Sequence, residues 1–317
     1  LDIDFRQIKA FEAVARKGGF SRASREIGLT QPTLSTHILN LERELGVKLF
    51  DRTGRTVTLT PAGKVFARYS GRIMDLCRES IEAVDAFSGQ IRGSVHVEAS
   101  TVPGEYILPR WLHEFHALYP EIHVTLTVND SAIVLEKVSS GEVPLGITGY
   151  PGNYPNLESR VLCEDEVIFI CPRGMLPDLS PGPLPLKTIG EIPLIRREKG
   201  SGTRIALDKA LAEHDIQPDS LQWSATLGST RAVIEGVLAG LGAAFVSRST
   251  VTREIERGQL LSCGLAGFRI RRNFFLVSNP KKTLSPVADH FRKEFLKAGK
   301  NLLKGMHPEP DGGDFTP

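Results

Sequence analysis

The stretch FSRASREIGLTQPTLSTHI, residues 20–38, decides how this chain begins to fold. Thr30 is a good helix N-cap and Pro32 is tolerated in a first turn, so a helix opens at Gln31. Leu34, Ile38, Leu41 and Leu45 recur at helical spacing and form its buried side. Gln31, Thr33, Ser35 and Thr36 therefore face outward near the N-terminus, beside Pro32. Ahead of it, Ser21 can cap a shorter helix carrying Ala23 and Ile27, which Gly28-Leu29 stops. Two helices joined by a glycine-containing turn, with polar side chains leading the second, form a helix-turn-helix. The leading end of such a helix enters the DNA major groove, where Gln, Ser and Thr reach base edges or the thymine methyl.

The flanks extend this pattern. Phe5, Ile8, Phe11 and Ala15 give a first helix one buried face, ended by Gly18-Gly19. Residues 49–59 predict a β-hairpin turning at Thr53-Gly54, with Arg52 and Arg55 at its tip, where a wing lies against phosphates or the minor groove. The candidate DNA-contacting residues are Ser21, Thr30, Gln31, Pro32, Thr33, Ser35, Thr36, Arg52 and Arg55. A small helical subdomain with solvated polar faces is the plainer alternative; paired arginines on a wing favour duplex DNA. Residues 1–60 are thus a winged, mainly α head.

Residues 61–92 predict a separate linker helix opened by Pro61. Phe66, Tyr69, Ile73, Leu76, Ser80, Ala83 and Phe87 alternate by three and four, with charged residues on the other faces. This is a coiled-coil-like seam, or else one amphipathic helix packed on its own domain. A homodimer is the expectation, because a helix-turn-helix reads paired half-sites.

At 317 residues the chain calls for two or three domains, and its 41% hydrophobic and 24% charged content is ordinary for a folded protein. A net charge of only +2 means that any basic surface is local. Cys77, Cys163, Cys171 and Cys263 show no CxxC pair and are sparse for a secreted scaffold, which favours a reducing cytoplasm. No signal peptide and no membrane-spanning run is recognised, so no membrane partner is expected.

From Ser94 onward apolar β-rich segments alternate with amphipathic helices, the pattern of an α/β domain over residues 93–298. Ligands in such sheets bind beyond the strand C-termini, where helix N-termini favour negative charge. Three spots qualify: Ser100-Thr101; Gly200-Ser201-Gly202-Thr203-Arg204; and Ser229-Thr230. Plain helix capping explains Ser229-Thr230 equally well. The middle loop points to anion binding, since a cap requires neither two glycines nor a following arginine. His113, His116 and His123 lack metal-ligand spacing, and no nucleophile–base grouping or cofactor loop is present; no metal, cofactor or enzymatic activity is expected. Residues 177–185 read as a surface loop and 299–317 as a disordered tail.

The segments Phe20-Ser21-Arg22-Ala23-Ser24, Leu29-Thr30-Gln31-Pro32-Thr33-Leu34-Ser35, Leu45-Gly46-Val47-Lys48-Leu49-Phe50-Asp51-Arg52 and Leu59-Thr60-Pro61-Ala62-Gly63 resemble the N-terminal signature of LysR-type transcriptional regulators. Many members carry a basic residue where this chain has Thr36, a departure that bears on guanine readout. The resemblance implies a two-lobed, periplasmic-binding-protein-like sensor. One lobe would span about 93–161 and 268–298, the other about 162–267, with Ser100-Thr101 facing the Gly200–Arg204 loop. It also implies pairing of subunits through the linker helix, often to a homotetramer, with RNA polymerase as a possible further partner. The middle loop is similar to that of members controlling sulfur or carbon-fixation genes. The expected effector is therefore a small anion: a sulfur oxyanion, phosphate or a small carboxylate. A peroxide-sensing branch uses a cysteine pair, which makes a redox switch at Cys163 and Cys171 one alternative; a bilobal solute-binding protein is another.

Overall fold

The computed structural model describes residues 3–53, 56–87, 91–176 and 182–302. They fall into two compact units, Leu1–Gly89 and Gln90–Pro317. The first holds α1 (Phe5–Lys17), α2 (Phe20–Glu26), α3 (Gln31–Leu45), the hairpin β1 (Phe50–Thr53) and β2 (Thr56–Leu59), and α4 (Pro61–Phe87). A capping box of Asp4 and Gln7 starts α1, and Gly18 ends it in the left-handed region. Phe11, Leu34, Ile38 and Leu41 are fully buried at the centre, each side chain contributing about 1.5–3 kcal/mol by leaving water. Phe11 packs against Phe50 with the rings tilted at 5.1 Å and meets Phe66 edge-on at 4.9 Å.

The signature residues before and after the hairpin have a structural task. The Glu42 carboxylate turns back from α3 to accept from the Leu49 and Phe50 amides at 2.8 and 3.3 Å and from Lys48 Nζ at 2.9 Å. Thr60 donates to the Lys48 carbonyl and accepts from the Gly63 amide, which caps α4. A Cβ on Gly63 would lie 2.1 Å from the Leu49 carbonyl oxygen, so only glycine lets α4 start there.

Three expectations change in this unit. Ser21 sits inside α2, whose N-cap is Gly19. Phe66 packs into the head's own core instead of joining an outer seam, because the first turns of α4 lie on α1. For the same reason α4 belongs to the compact unit of the head and is not a separate segment.

The second unit is built on one nine-stranded sheet with helices on its faces. Its elements are β3 (Gly93–Ser100), α5 (Leu108–Leu118), β4 (Ile122–Asn129), α6 (Ser131–Ser140), β5 (Leu145–Thr148), β6 (Glu158–Pro172), β7 (Leu194–Arg197), α7 (Gly202–Ala212), β8 (Trp223–Leu227), α8 (Thr230–Leu238), β9 (Ala243–Ser247), α9 (Thr252–Glu256), β10 (Leu260–Cys263), β11 (Ile270–Ser278) and α10 (Pro286–Ala298). The strand order is β4-β3-β5-β11-β6-β9-β7-β8, with β10 also on β6.

β3, β4 and β5 run parallel in one lobe, and β7, β8 and β9 run parallel in the other. The antiparallel pair β6 and β11 passes through both. Phe275–Ser278 pair with β5 and the start of β6, Ile270–Phe274 pair with the rest of β6, and the register slips between Phe274 and Phe275. Such a bulge in two shared strands is where the lobes can hinge. Each lobe has its own core: Trp111, Phe291 and Phe295 centre one, while Phe169, Leu211 and Phe245 centre one face of the other.

Residues 299–302, expected in the tail, are ordered on the sensor. Gly299–Asn301 form one turn on β6, with the Leu162 carbonyl oxygen only 2.8 Å from where a Gly299 Cβ would stand, and Leu302 packs on the first lobe's core. Residues 303–317, and 177–181 of the expected surface loop, lie outside the described residues. Among the described residues no helix is long and apolar enough to cross a membrane.

Candidate functional site

In the head, Gln31, Pro32, Thr33 and Thr36 are exposed at the start of α3 and Ser35 is half-buried. Thr30 caps the helix by accepting from the Thr33 amide, and its hydroxyl also meets that of Thr33 at 2.8 Å. Ser21 donates to Gln31 Oε1 at 2.8 Å, so α2 fixes the orientation of the leading side chain of α3. Thr36 turns its hydroxyl back to the Pro32 carbonyl at 3.0 Å, which leaves its methyl as the outward group. Arg52 stands on β1 opposite Val57, its side chain lying outside the described residues together with the whole of Gly54 and Arg55. Farther along α4, Tyr69 and Ile73 are exposed, as are Leu76 and Val84 at 63% and 71%; the Phe87 side chain is outside the described residues.

In the sensor, the ends of β3 and β7, residues Arg272 and Phe274 of β11 and the starts of α6 and α7 line a small polar cavity. Ser100, Thr101, Ser131, Ser201 and Thr203 bring hydroxyls to it, Asp130 a carboxylate, and Arg197 and Arg272 guanidinium groups. About 10 Å³ is open to the centre of a water-sized group, enough for about one water. At Gly200, φ +96°, a Cβ would stand 3.2 Å from Asp130 Oδ1 and from Ala132 Cβ, and a Cβ on Gly202 would stand 2.9 Å from Gly149 Cα. These glycines therefore serve the close approach of the two lobes.

Two arginines absent from the sequence-based set hold this closure. Arg197 is 4% exposed; its Nε and Nη2 each donate to Glu198 at 2.7 Å, and Nη1 donates to Thr101 at 3.1 Å and Thr230 at 2.7 Å. Thr101 and Thr230 face each other across the lobes at 3.2 Å. Arg272, 6% exposed, donates from Nε to Asp165 at 2.8 Å and from Nη1 to Thr203 at 3.0 Å. Its Nη2 is buried with no hydrogen-bond partner among the described residues. Asp165 also accepts from Ser247 at 2.6 Å.

Four expected residues, Gly200, Arg204, Ser229 and Thr230, are not among those lining the cavity. Arg204 points away, donating to the Arg197 carbonyl at 3.3 Å and pairing with Asp208 at 3.5 Å along its own helix. Ser229 spends its hydroxyl as the cap of α8, accepting from the Ala232 amide at 3.1 Å. Ser201, by contrast, occupies the N-cap position of α7 with no side-chain cap bond, and its buried hydroxyl lines the cavity. Sequence could have flagged Arg197, three residues before the Gly200–Arg204 loop. Arg272, amid alternating residues of a charged strand, carries no such signal.

In this structure the cysteine pair considered above stands too far apart to be bridged without backbone movement. Cys163 and Cys171 lie eight residues apart on the single strand β6, a separation of roughly 26 Å at about 3.3 Å per residue, whereas a disulfide needs Cα atoms roughly 4.4–6.8 Å apart. Burial and the neighbouring Asp165 push the Cys163 thiol up to about 12. Cys171 instead neighbours Cys263 on the adjacent strand β10. Hydrogen bonding with Cys171 brings Cys263 down to about 7, against burial, while the buried Cys171 is held up. Among the described residues no group of three or more His, Cys, Asp or Glu side chains is placed to hold a metal ion.

The model of the bacterial regulatory helix-turn-helix protein, lysR family, matches residues 5–64, and that of the LysR substrate binding domain matches residues 88–300. The chain belongs to the LysR family: it is a DNA-binding transcriptional regulator with an effector-binding domain. Its relatives include a probable RuBisCO transcriptional regulator of Gracilaria tenuistipitata var. liui, 32% identical over 92% of this chain and 94% of that one. The RuBisCO operon transcriptional regulator of Allochromatium vinosum is 32% identical over 95% and 98%. Among solved structures, CbnR, a LysR family transcriptional regulator, aligns at TM-score 0.70 over 94% of this chain and 99% of that one, at 21% identity. The regulatory domain of CcmR from Synechocystis PCC6803, solved in complex with 2-PG, aligns at TM-score 0.60, covering 66% of this chain and 99% of that domain at 26% identity. The alternative of a solute-binding protein is thereby replaced by that of a transcriptional regulator.

Proposed function

We propose that this regulator controls carbon-fixation genes and responds to a small anion held between its two sensor lobes. The observation that carries the anion is the buried donor Arg272 Nη2, set among hydroxyls and two helix N-termini. The RuBisCO regulators among its relatives support the gene class, and the neighbouring domain solved with 2-PG supports an anionic ligand. The protein works by binding, without catalysis, in the cytoplasm. It reads a partly palindromic duplex through Gln31, Thr33, Ser35 and Thr36, with Thr30 and Pro32 setting the helix start and Arg52 and Arg55 on phosphates. The exposed side chains Tyr69, Ile73 and Leu76 of α4 pair two subunits, and further contacts make the tetramer and reach RNA polymerase.

The test is a gel shift of full-length protein on upstream DNA of a carbon-fixation operon, with and without phosphate, 2-PG, thiosulfate and small dicarboxylates. Sequence-specific binding altered by one of these anions is the expected result. Indifference to every anion at saturating concentration removes the sensing role and leaves DNA binding intact. Ile73→Asp with Leu76→Asp should yield monomers in sedimentation; an unchanged oligomer would assign the α4 stripe to some other contact.

A further inference from the structure

The cavity is not lined by donors alone. Asp130 lines it together with Ser131, Ser201 and Arg272. One of its oxygens caps α6 by accepting from the Ile133 amide at 2.9 Å, and no cation pairs with it among the described residues. A carboxylate only accepts hydrogen bonds. A fully deprotonated anion such as sulfate also only accepts, so next to Asp130 it meets like charge, acceptor against acceptor. An oxyanion that keeps one hydroxyl hydrogen avoids this conflict. It donates that hydrogen to Asp130 while its other oxygens accept from the hydroxyls, the starts of α6 and α7, and Arg272.

We infer that the cleft selects small oxyanions bearing an O–H, with Asp130 as the selecting acceptor and Arg272 Nη2 as the anchoring donor. This rests on the anion-binding role proposed above and narrows its chemistry: hydrogen phosphate and bicarbonate qualify, whereas sulfate and thiosulfate do not. A phosphate monoester, whose second pKa is about 6, qualifies by taking up a proton as it binds. The cavity has space for about one water-sized group, so a tetrahedral ligand must part the lobes at Gly149 and Gly202. Arg272 ties that movement to the hinge, since it rises from β11 and holds Asp165 on β6.

Calorimetry on the full chain at pH 7.5, with inorganic phosphate, bicarbonate, methyl phosphate and sulfate, tests the inference. Phosphate or bicarbonate should bind at least about tenfold more tightly than sulfate, a factor equal to about 1.4 kcal/mol. Which of the two leads names the source, and methyl phosphate should show a heat that varies with the buffer's ionisation enthalpy. Asp130→Asn preserves the α6 cap and supplies a donor, so it should raise sulfate affinity and erase the preference. Arg272→Lys, which keeps a charge beside Asp165, should weaken every anion at least about tenfold without changing their order. Equal binding of sulfate and phosphate, or a preference untouched by Asp130→Asn, overturns the inference while leaving the anion site standing. If none of the four binds the wild type, the anion site itself falls, and the selection with it.

Discussion

Thr101 at the end of β3 and Thr230 at the start of α8 stand 3.2 Å apart, and Arg197 Nη1 donates to both hydroxyls. They belong to different lobes, so one buried guanidinium latches the cleft from the second lobe onto the first. Hydrogen bonds to a charged group contribute about 1.5–3 kcal/mol, and losing one while the other remains costs toward the low end. Thr101→Val keeps the shape and removes the lobe-1 arm. We expect a sensor destabilised by about 1–2 kcal/mol in urea denaturation, with altered anion affinity. A variant as stable as wild type, with an unmoved binding isotherm, would show that the latch carries no energy.

Gly202 offers a steric test of the same closure. An alanine there places its Cβ 2.9 Å from Gly149 Cα and 3.0 Å from the Gly149 carbonyl carbon, both backbone atoms that cannot swing aside. Gly202→Ala should hold the lobes apart, at a cost of about 1–3 kcal/mol. Solution scattering of wild type and variant measures it; superimposable curves and equal melting would count against the contact.

Glu42 makes the head sensitive to acid. Burial alone would raise its pKa, but the hydrogen bond from Lys48 and those from the Leu49 and Phe50 amides together outweigh it and hold the carboxyl below its usual value of 4.5. A carboxyl depressed in the folded state stabilises above its unfolded pKa, and that contribution fades as pH falls through the folded value. Denaturation monitored between pH 7 and 3 should show this loss in wild type and a flatter profile in Glu42→Gln. At neutral pH the variant should be about 1–3 kcal/mol less stable.

In the proposed contact with DNA, Ser21 works through Gln31. Its hydroxyl fixes Gln31 Oε1, which turns the amide nitrogen outward toward an acceptor on a base edge. Both Ser21→Ala and Gln31→Ala should therefore relax base preference at one shared position of the site. Arg52→Ala should instead weaken all duplexes alike and lower the salt slope by about one counterion. Binding-site selection with each variant distinguishes them: different positions relaxed by Ser21→Ala and Gln31→Ala would break the coupling.

The thiols should differ in reactivity. Cys263, brought down to about 7 by Cys171, should be alkylated by iodoacetamide with a midpoint near pH 7. Cys163, pushed to about 12, should stay protected through pH 9. Peptide mass spectrometry after timed labelling reads both, and faster labelling of Cys163 at neutral pH would contradict the burial argument.

The helix-turn-helix was legible because its information is local. Thr30, Pro32 and the spacing of Leu34, Ile38 and Leu41 act within a few turns of one helix, and the structure places each where that spacing puts it. The α/β alternation after residue 93 was legible for the same reason, as was the convergence of strand ends and helix starts on a cleft. Ser21 was misplaced because glycine can also open a helix, and its hydroxyl found a partner ten residues away. Phe66 was misplaced because periodicity shows that a face is apolar without saying what covers it.

The sequence by itself determined the helix-turn-helix head, the α/β sensor, the family and the hydroxyl-bearing turns of the cleft, since these follow from periodicity, capping and contiguous motifs. Only the tertiary structure decided which polar groups meet. Arg272 reaches Asp165 across 107 positions and Thr203 across 69, and Arg197 reaches Thr101 across 96. The pairing of β10 with β6 likewise brings Cys171 beside Cys263. The physical reason is that a buried charge is tolerated only where opposite charge and hydrogen-bond partners surround it. Those partners come from whichever strands the sheet order places side by side, and that order is written in long-range packing.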